Sequence, residues 1–185
     1  IFGEHDGRRL NQNELIQNCI FILNAGHETT TSLVSNSVGL FLDHPDQHCK
    51  LLNNPDLIGG AVEECLRFES PLQIGNRQAA RDFTFGNYKV LKGTYIHTSI
   101  AGANRDPSVF NEPHKFDIQR PKNKHIAFIT GIHVCLGATL ARMEGKIALG
   151  KFLKRFPAVK RDGDPERLPL ARFRGFVRLP VRLKP

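Results

Sequence analysis

Cysteine is scarce in this sequence, and its spacing excludes two common architectures. The chain has four cysteines at irregular intervals, and no two of them form a C-x-x-C pair: Cys19, Cys49, Cys65 and Cys135. Such spacing argues against a disulfide framework and against a zinc ribbon, and it suits a reducing compartment such as the cytoplasm. The sequence also shows no signal peptide and no membrane span.

Low-complexity runs and internal repeats are absent as well, which is typical of a globular protein. The 185 residues are 40% hydrophobic, enough for one domain with a sizeable core. The formal net charge of +8 favours an acidic partner or surface. Because the basic residues are scattered and form no aromatic-interleaved stripe, nucleic acid is not the expected partner.

Residues 11–42 are predicted to form one long helix. Asn11 and Glu14 stand three residues apart, as in a capping box, where the N-cap side chain and the acid each accept a backbone N–H. The body of the segment is apolar on nearly every face, which indicates a helix buried in protein. Pro45 ends this helix and begins a short amphipathic one that reaches about Leu52.

The rest of the chain predicts a mainly α protein with small β-sheets, an α+β fold. In chain order, the predicted elements are a third helix over 56–68, strands over 72–103, an irregular meander over 103–124, a helix over 136–156 and short strands near 173–182. Glycine-containing turns at 86–87 and 92–93 separate the first strands.

The segment NAGHETTTS places polar residues in the middle of the long helix. Gly26 costs a helix about 1 kcal/mol relative to alanine, and a buried Glu28 is costly unless it is paired or protonated. One interpretation is a polar patch facing a crevice, with threonine hydroxyls bonded back to helix carbonyls. The density of the cluster favours the other interpretation, a helix opened to line a cavity where an acid and a hydroxyl handle protons.

The segment VEECLRF carries Glu64 and Arg67 three residues apart on one helix face. Such a pair is usually solvated and contributes less than about 1 kcal/mol. Here Val62, Leu66 and Phe68 surround it, so a buried structural ion pair is the alternative.

Cys135 lies directly before a predicted helix, in a loop rich in glycine. A thiolate is stabilised there by the helix dipole and by free backbone N–H groups. Three interpretations stand: a catalytic thiol with a nearby histidine, an inert buried cysteine, and a thiolate metal ligand. The third is favoured because the glycines leave room on the open side of the sulfur.

Together the motifs make the chain resemble the C-terminal half of a cytochrome P-450 of the soluble bacterial kind. AGHETT resembles the oxygen-binding helix motif of that family, ECLR its E-x-x-R pair, and FITGIHVCLG its haem-ligand loop. ANRDPSVFNEPHKFD is similar to the meander and RGFVRLPV to the closing hairpin. The resemblance implies the C-terminal part of the P-450 fold over residues 1–185, with a long central helix over haem, the cysteine loop and a following helix.

For the cysteine side of a bound haem b, the resemblance implies four roles. Cys135 would be the axial thiolate ligand of the iron. Phe128 would pack near that thiolate, and His133 and Arg77 match positions that hold the haem propionates.

For the opposite side of the haem, the resemblance implies that the long helix binds dioxygen. Ala25 and Gly26 would open the helix above the iron. Glu28 and Thr29 match the acid–alcohol pair that delivers protons there.

For the framework under the haem, the resemblance implies an ion pair of Glu64 and Arg67 with a third partner from the meander. The basic residue at that position is Lys115, where the family uses arginine. Lysine cannot make the bidentate fork of an arginine, so a weaker third contact is expected.

The ligand loop itself departs from the family at one position. Gly131 and Gly137 match glycines that shape the loop against the porphyrin, but Ile129 stands where the family has its first glycine. A β-branched residue there predicts a crowded loop or a different turn.

The resemblance implies a monooxygenase that oxidises a small organic substrate with electrons from an NAD(P)H-linked ferredoxin. Family members are more than twice as long, and the chain begins at Ile1 without an initiator methionine, in what reads as the end of a loop. We therefore expect either a piece of a longer protein, or a truncated non-catalytic relative that binds haem weakly or not at all. In the second case, partner binding or self-association would cover the exposed core surface. A cysteine hydrolase would leave the helix motif and the E-x-x-R pair unexplained.

Overall fold

The computed structural model describes residues 3, 4 and 6–184, so the loop end predicted at Ile1 lies outside the described residues. The helices are α1 (Gln12–Asp43), α2 (Pro45–Asn53), α3 (Ile58–Phe68), α4 (Ile100–Ala103) and α5 (Ala138–Arg155), with 3-10 turns at Pro55–Leu57 and Gly131–His133. The strands are β1 (Ile74–Gln78), β2 (Phe83–Phe85), β3 (Tyr88–Val90), β4 (Tyr95–Ser99), β5 (Lys160–Arg161), β6 (Glu166–Arg167), β7 (Phe176–Arg178) and β8 (Val181–Arg182).

The predicted start and end of the long helix are confirmed. The Glu14 N–H donates to Asn11 Oδ1 at 2.9 Å, and the Asn11 N–H donates to Glu14 Oε2 at 2.9 Å, which completes the capping box. At the other end, Pro45 is the first residue of α2. It cannot donate a backbone hydrogen bond, so α1 cannot continue through it.

Only the second half of α1 is buried. Its buried residues run from Ser32 to Phe41, whereas Phe21 and Leu23 are each 69% exposed. The prediction of a helix buried along its length is therefore wrong for the first half. An apolar helix face is buried only where another element packs on it, and Ser32, Leu33 and Gly39, which lie closest to Gly175, Gly145 and Phe176, are all in the second half of α1.

The core lies where α1, α3 and α5 meet. A Cβ atom at Gly145 of α5 would lie 3.2 Å from Leu33 Cδ2 of α1 and 3.2 Å from Val62 Cγ1 of α3. The missing side chain lets three helices approach closely, and all three of these residues are buried. This packing places the cysteine loop, which precedes α5, beside the E-x-x-R helix α3.

Within the described residues the strands pair as four two-stranded antiparallel sheets: β1–β4, β2–β3, β5–β8 and β6–β7. The turns predicted at Gly86 and Gly93 are confirmed, with φ angles of +57° and +87°. The strand prediction was too long at its end, because residues 100–103 form the short helix α4. Ser99 caps it by accepting the Gly102 N–H at 3.0 Å, which ends the strand.

The meander predicted over 103–124 is irregular but firmly packed. Phe116 and Ile118 are 3% and 1% exposed. The Phe116 ring lies 5.7 Å from that of Phe41 and 5.5 Å from that of Phe68, both at steep interplanar angles. Aromatic contacts of this kind hold the meander against α1 and α3 without regular hydrogen bonding. The predicted mixture of helices and small sheets is confirmed.

Candidate functional site

The Glu64–Arg67 pair is buried completely. Arg67 Nε donates to Glu64 Oε2 and Arg67 Nη2 to Oε1, both at 2.8 Å, so the pair is bidentate. Both side chains are 0% exposed. Of the two interpretations of this motif, the buried structural pair holds and the solvated pair does not. Burial without full hydrogen bonding would be costly, so the remaining donors and acceptors matter.

The third partner of Glu64 is Arg120, and the prediction of Lys115 is wrong. Arg120 Nε lies 3.2 Å from both oxygens of Glu64, and the Arg120 side chain is 8% exposed. Lys115 Nζ instead pairs with Glu112 at 3.2 Å on the surface. The planar guanidinium can donate to Glu64 and to backbone carbonyls at once, which an ammonium on a flexible stem does less well.

Backbone groups of the meander satisfy the other charge. Arg67 donates to the carbonyls of Asn104 and Pro113 at 2.9 Å and of Lys115 at 3.1 Å. Lys115 therefore contributes through its carbonyl rather than its side chain. One sequence signal could have identified Arg120. It is an arginine in the same meander as Lys115, and a guanidinium can donate two hydrogen bonds to one carboxylate.

The cysteine loop folds back on itself through backbone hydrogen bonds. The Cys135 N–H donates to the Phe128 carbonyl at 3.0 Å, and the Ile129 N–H donates to the Ile126 carbonyl at 2.8 Å. Gly131, with φ of +77°, makes the left-handed turn between the two sides. The Phe128–Cys135 bond thus fixes the backbone from which the thiol projects.

Ile129 keeps a left-handed turn despite its side chain. Its φ angle is +60°, a conformation that is a genuine outlier for a β-branched residue. The sequence predicts either a crowded loop or a different turn at this position. The structure shows a left-handed backbone at Ile129, which is strained for a β-branched side chain. The rest of the loop must supply the stabilisation that offsets this strain.

The Cys135 thiol is exposed at the start of α5. Apolar side chains beside it are exposed as well: Ile132 is 96%, Val134 57% and Leu136 99% exposed. In the part of the chain that the structure describes, no histidine lies within hydrogen-bonding distance of the sulfur, which disfavours a cysteine–histidine dyad. An exposed thiol in a loop with exposed apolar side chains fits a flat, apolar group with a metal at its centre, as haem is.

The glycines of the loop leave space for such a group. A Cβ atom at Gly131 would have no atom within 4 Å, and one at Gly137 would meet only the Cys135 sulfur, at 3.9 Å. The loop residues present therefore fit the haem that the resemblance implies, with Cys135 as its one thiolate ligand. Among residues 3, 4 and 6–184, no group of three or more His, Cys, Asp or Glu side chains converges as a metal site.

The two predicted propionate ligands lie on different elements. His133 is exposed in the 3-10 turn Gly131–His133. Arg77 is exposed on β1, where Nη1 donates to the Asn76 carbonyl at 2.8 Å. Both side chains are accessible to a ligand, and their propionate roles stay predictions.

The motif in α1 is a continuous helix, not an opened one. Thr29 Oγ1 donates to the Ala25 carbonyl at 2.7 Å, and Thr31 Oγ1 to the His27 carbonyl at 2.8 Å. The threonines therefore bond back to the helix, and the prediction of an opened helix is wrong because α-helical geometry runs unbroken from Gln12 to Asp43. Back-bonding of this kind satisfies the hydroxyl locally without opening the backbone.

The same stretch of α1 is accessible on one side. Gly26 has no atom within 4 Å of the position of a Cβ. Glu28 is exposed and lines an open groove of about 650 Å³, together with Thr31 and, from the β6–β7 hairpin, Phe176. Thr29 is half-buried and is not part of that lining. The structure places the acid and the alcohol on adjacent residues, and their roles in proton delivery stay predictions.

A second polar network lies beside the cysteine loop, and it was not predicted from the sequence. Glu63 binds Arg142 through two contacts, of 2.8 and 3.0 Å, and lies 3.0 Å from His125 Nε2. Burial raises the pKa of Glu63, but the hydrogen bonds that His125 and Arg142 donate to it, together with the charge of Arg142, outweigh burial and hold the pKa at about 2. Since the three residues are far apart in sequence, no local pattern reveals them.

None of the helices in the described residues is both long enough and apolar enough to cross a membrane.

Known proteins share both the sequence and the fold of this chain. The family model for cytochrome P450 matches residues 2–185. The biotin biosynthesis cytochrome P450 of Bacillus subtilis is 46% identical over 174 residues, which cover 94% of this chain and 44% of that protein. Cytochrome P450 107B1 of Saccharopolyspora erythraea is 44% identical over 182 residues, which cover 96% of this chain and 45% of that protein.

Solved structures agree. P450BioI, in complex with acyl carrier protein ligated to hexadec-9Z-enoic acid, superposes with a TM-score of 0.92 at 45% identity, covering 95% of this chain and 46% of that one. The cytochrome P450 PksS of the Bacillus subtilis 168 bacillaene polyketide synthase gives a TM-score of 0.96 at 38% identity, covering 100% of this chain and 48% of that one. The chain thus spans about half the length of these relatives. On the match of nearly its whole length, the chain belongs to the cytochrome P450 family.

Proposed function

We propose that this chain is the haem-binding, C-terminal part of a cytochrome P450 monooxygenase, with Cys135 as the thiolate ligand of haem b. The observation that carries the proposal is the exposed Cys135 thiol just before α5, in a loop where the side chains of Ile132, Val134 and Leu136 are exposed as well. Apolar side chains this exposed are expected to be covered by a ligand or a partner.

When bound, the haem would supply the activation of dioxygen and the transfer of one oxygen atom to an organic substrate. Phe128 and Gly131 would form part of the surface that contacts the porphyrin. The side chains of His133 and Arg77 would bind its propionates. A histidine and an arginine suit that role because both donate charge-assisted hydrogen bonds to carboxylates.

On the opposite side, Ala25 and Gly26 would leave room for dioxygen over the haem. Glu28 is a carboxylate accessible from the groove, and Thr29 is a hydroxyl whose proton is held by the Ala25 carbonyl. A small rotation of the Thr29 side chain would transfer its hydrogen bond from that carbonyl to a ligand. The pair could thereby pass protons inward from the groove.

The remaining partners are those that membership of the family suggests. The substrate would be a small organic molecule, and the electrons would come from an NAD(P)H-linked ferredoxin in the cytoplasm. Ferredoxins are acidic, and the net charge of +8 would steer such a protein towards this one.

One observation favours a second candidate, a relative that binds haem weakly and does not turn over substrate. Ile129 holds a left-handed turn beside the ligand loop, with φ of +60°. Strain at that point could lower the affinity of the loop for haem.

The carbon monoxide spectrum of the reduced, haem-loaded protein tests the proposal. We expect the long-wavelength Soret band of thiolate ligation, and we expect Cys135→Ser to lose it. The matched control is Cys49→Ser, an exposed thiol on α2, which should leave the band unchanged. A band that survives Cys135→Ser would overturn the assignment, and absence of haem uptake would favour the second candidate.

A further inference from the structure

Glu63 of α3 joins two other elements near the cysteine loop. Arg142 of α5 binds both of its carboxylate oxygens, with Nε to Oε1 at 2.8 Å and Nη2 to Oε2 at 3.0 Å. His125, from the end of the meander, contacts Glu63 Oε2 through Nε2 at 3.0 Å. We refer to Glu63, His125 and Arg142 as the Glu63 network.

His125 is oriented on both sides of its ring. The Ala127 N–H donates to Nδ1 at 3.2 Å, so Nδ1 acts as the acceptor and Nε2–H donates to Glu63 Oε2. The His125 side chain is 2% exposed. The network therefore fixes the backbone immediately before Phe128, with a neutral imidazole between a carboxylate and an amide.

Phe128 contacts two members of the network, Arg142 and His125. The Arg142 guanidinium lies over the Phe128 ring, 4.5 Å from its centroid. The His125 ring lies 6.1 Å from the Phe128 ring, tilted by 48°. A guanidinium at that distance attracts the face of an aromatic ring, and Glu63 holds the guanidinium in place through its bidentate pair.

Phe128 in turn holds the backbone of Cys135 in position. Its carbonyl accepts the Cys135 N–H at 3.0 Å. Ile129, the next residue, has a φ angle of +60°, a conformation that an isolated peptide avoids. A strained turn persists only where its surroundings over-determine it, and the contacts on Phe128 supply that constraint.

We propose that Glu63, His125 and Arg142 are positioning residues that orient the Cys135 backbone, and through it the thiol, by clamping Phe128. They touch neither the reacting atoms nor the sulfur. The consequence for haem ligation rests on the proposed function, whereas the effect on the Cys135 backbone does not. The Glu63 network is separate from the Glu64–Arg67–Arg120 cluster. His125 and Arg142 bind Glu63, whereas Arg67 and Arg120 bind Glu64.

The test compares two arginines of α5 that both lie over a phenylalanine ring. Arg142→Met removes the charge, the fork to Glu63 and the contact with Phe128. Arg155→Met is the matched control, since Arg155 lies 5.8 Å from the Phe156 ring centroid at the far end of the helix. Amide hydrogen exchange of Cys135 in the full, haem-free chain is the first readout, because it reports the bond to the Phe128 carbonyl.

We expect the Cys135 amide to exchange at least about tenfold faster in Arg142→Met, as a bond worth roughly 1.4 kcal/mol would require. Core amides such as those of Val62 and Leu66 should keep their rates, and Arg155→Met should match the parent. Glu63→Gln should act in the same direction. An unchanged Cys135 rate would overturn the proposal, and so would equal acceleration of the core amides, which would show a general loss of stability.

The haem-loaded forms give the second readout. In Arg142→Met we expect a smaller share of the long-wavelength band in the carbon monoxide spectrum, with partial recovery in Arg142→Lys, which keeps the charge but not the planar fork. Loss of the band in the parent protein would contradict the proposed function alone, because the exchange result does not depend on haem. An undiminished band in Arg142→Met would contradict the proposal that Arg142 helps to orient the thiol.

Discussion

At the scale of single residues, the buried carboxylate of Glu64 shows why the type of basic residue matters. It accepts from Arg67, Arg120, the Asn123 side chain at 2.9 Å and the Asp117 N–H at 3.0 Å. Every lone pair of a fully buried carboxylate needs a donor, because an unsatisfied one keeps its desolvation penalty. An arginine can satisfy several acceptors at once, and that is the role of Arg120.

Replacing the two basic residues of the meander separately distinguishes their roles. Arg120→Ala should lower the free energy of unfolding by about 2–3 kcal/mol, because it leaves part of a buried carboxylate without a donor. Lys115→Ala is the matched control and should change it by less than about 0.5 kcal/mol, since its pair with Glu112 is on the surface. Urea denaturation measures both, and equal effects would contradict the assignment of Arg120.

The cysteines are all free thiols but differ in burial. Burial raises the pKa of Cys65 to about 12. A hydrogen bond with Ser37 opposes this rise, and the charge of Glu64 adds a still smaller increase. Since the thiolate is the reactive form, Cys65 should stay inert at neutral pH. In the haem-free chain, a thiol reagent should modify Cys19, Cys49 and Cys135, and the fourth thiol only after unfolding. Rapid reaction of all four thiols in the native chain would be inconsistent with this packing.

The acidity of Glu63 makes stability depend on pH. Its folded pKa of about 2 lies below the ordinary value, so its contribution is fully present above about pH 4.5 and is lost as the pH falls through about 2. Glu63→Gln should therefore flatten the acid limb of a plot of unfolding free energy against pH. Glu144→Gln, on the exposed side of α5, is the control and should keep the slope. An acid limb that is identical in Glu63→Gln would show that Glu63 does not carry this dependence.

At the scale of elements, α5 lies closer to its neighbouring helices at Gly145 than at Gly150. At Gly145 a side chain would meet Leu33 and Val62 at 3.2 Å. At Gly150 it would meet Ile58 Cγ1 at 3.8 Å, an ordinary contact. The same residue type thus allows close helix packing at one position and only weakens the helix at the other.

Alanine at these two glycines should have opposite effects. Gly145→Ala should lower the free energy of unfolding by about 1 kcal/mol or more, because overpacking outweighs the gain in helix propensity. Gly150→Ala should raise it by about 0.5–1 kcal/mol, because alanine restricts the unfolded chain and suits a helix. Thermal or urea unfolding of the two variants decides the sign, and stabilisation by Gly145→Ala would refute the close approach.

At the scale of the whole molecule, the first half of α1 departs from an ordinary globular surface. Ile20, Phe21, Ile22 and Leu23 are 48%, 69%, 62% and 69% exposed. Contiguous apolar exposure of this kind is typical of a surface that another polypeptide covers. The net charge of +8 opposes association only at long range, and salt screens it.

We therefore expect the chain on its own to self-associate through α1. Phe21→Ser should lower the weight-average mass seen in sedimentation velocity at a given concentration. Phe85→Ser is the matched control, because Phe85 is 74% exposed on the separate β2–β3 hairpin. A chain that stays monomeric at high concentration, or equal effects of the two variants, would contradict association through α1.

The sequence alone determined what depends on near neighbours. The capping box of Asn11 and Glu14, the helix end at Pro45, and the order of the motifs around Glu28, Arg67 and Cys135 are all local patterns. They led to the α+β fold and to the family because backbone geometry responds to residues within a few positions.

Only the tertiary structure decided what depends on contacts between distant segments. Arg120 reaches Glu64 across 56 positions and Arg142 reaches Glu63 across 79, so no local pattern distinguishes them from other basic residues. The exposure of the first half of α1 depends likewise on which elements pack against it. Periodicity shows which face of a helix is apolar, but only packing determines whether that face is covered, because burial belongs to the assembled chain.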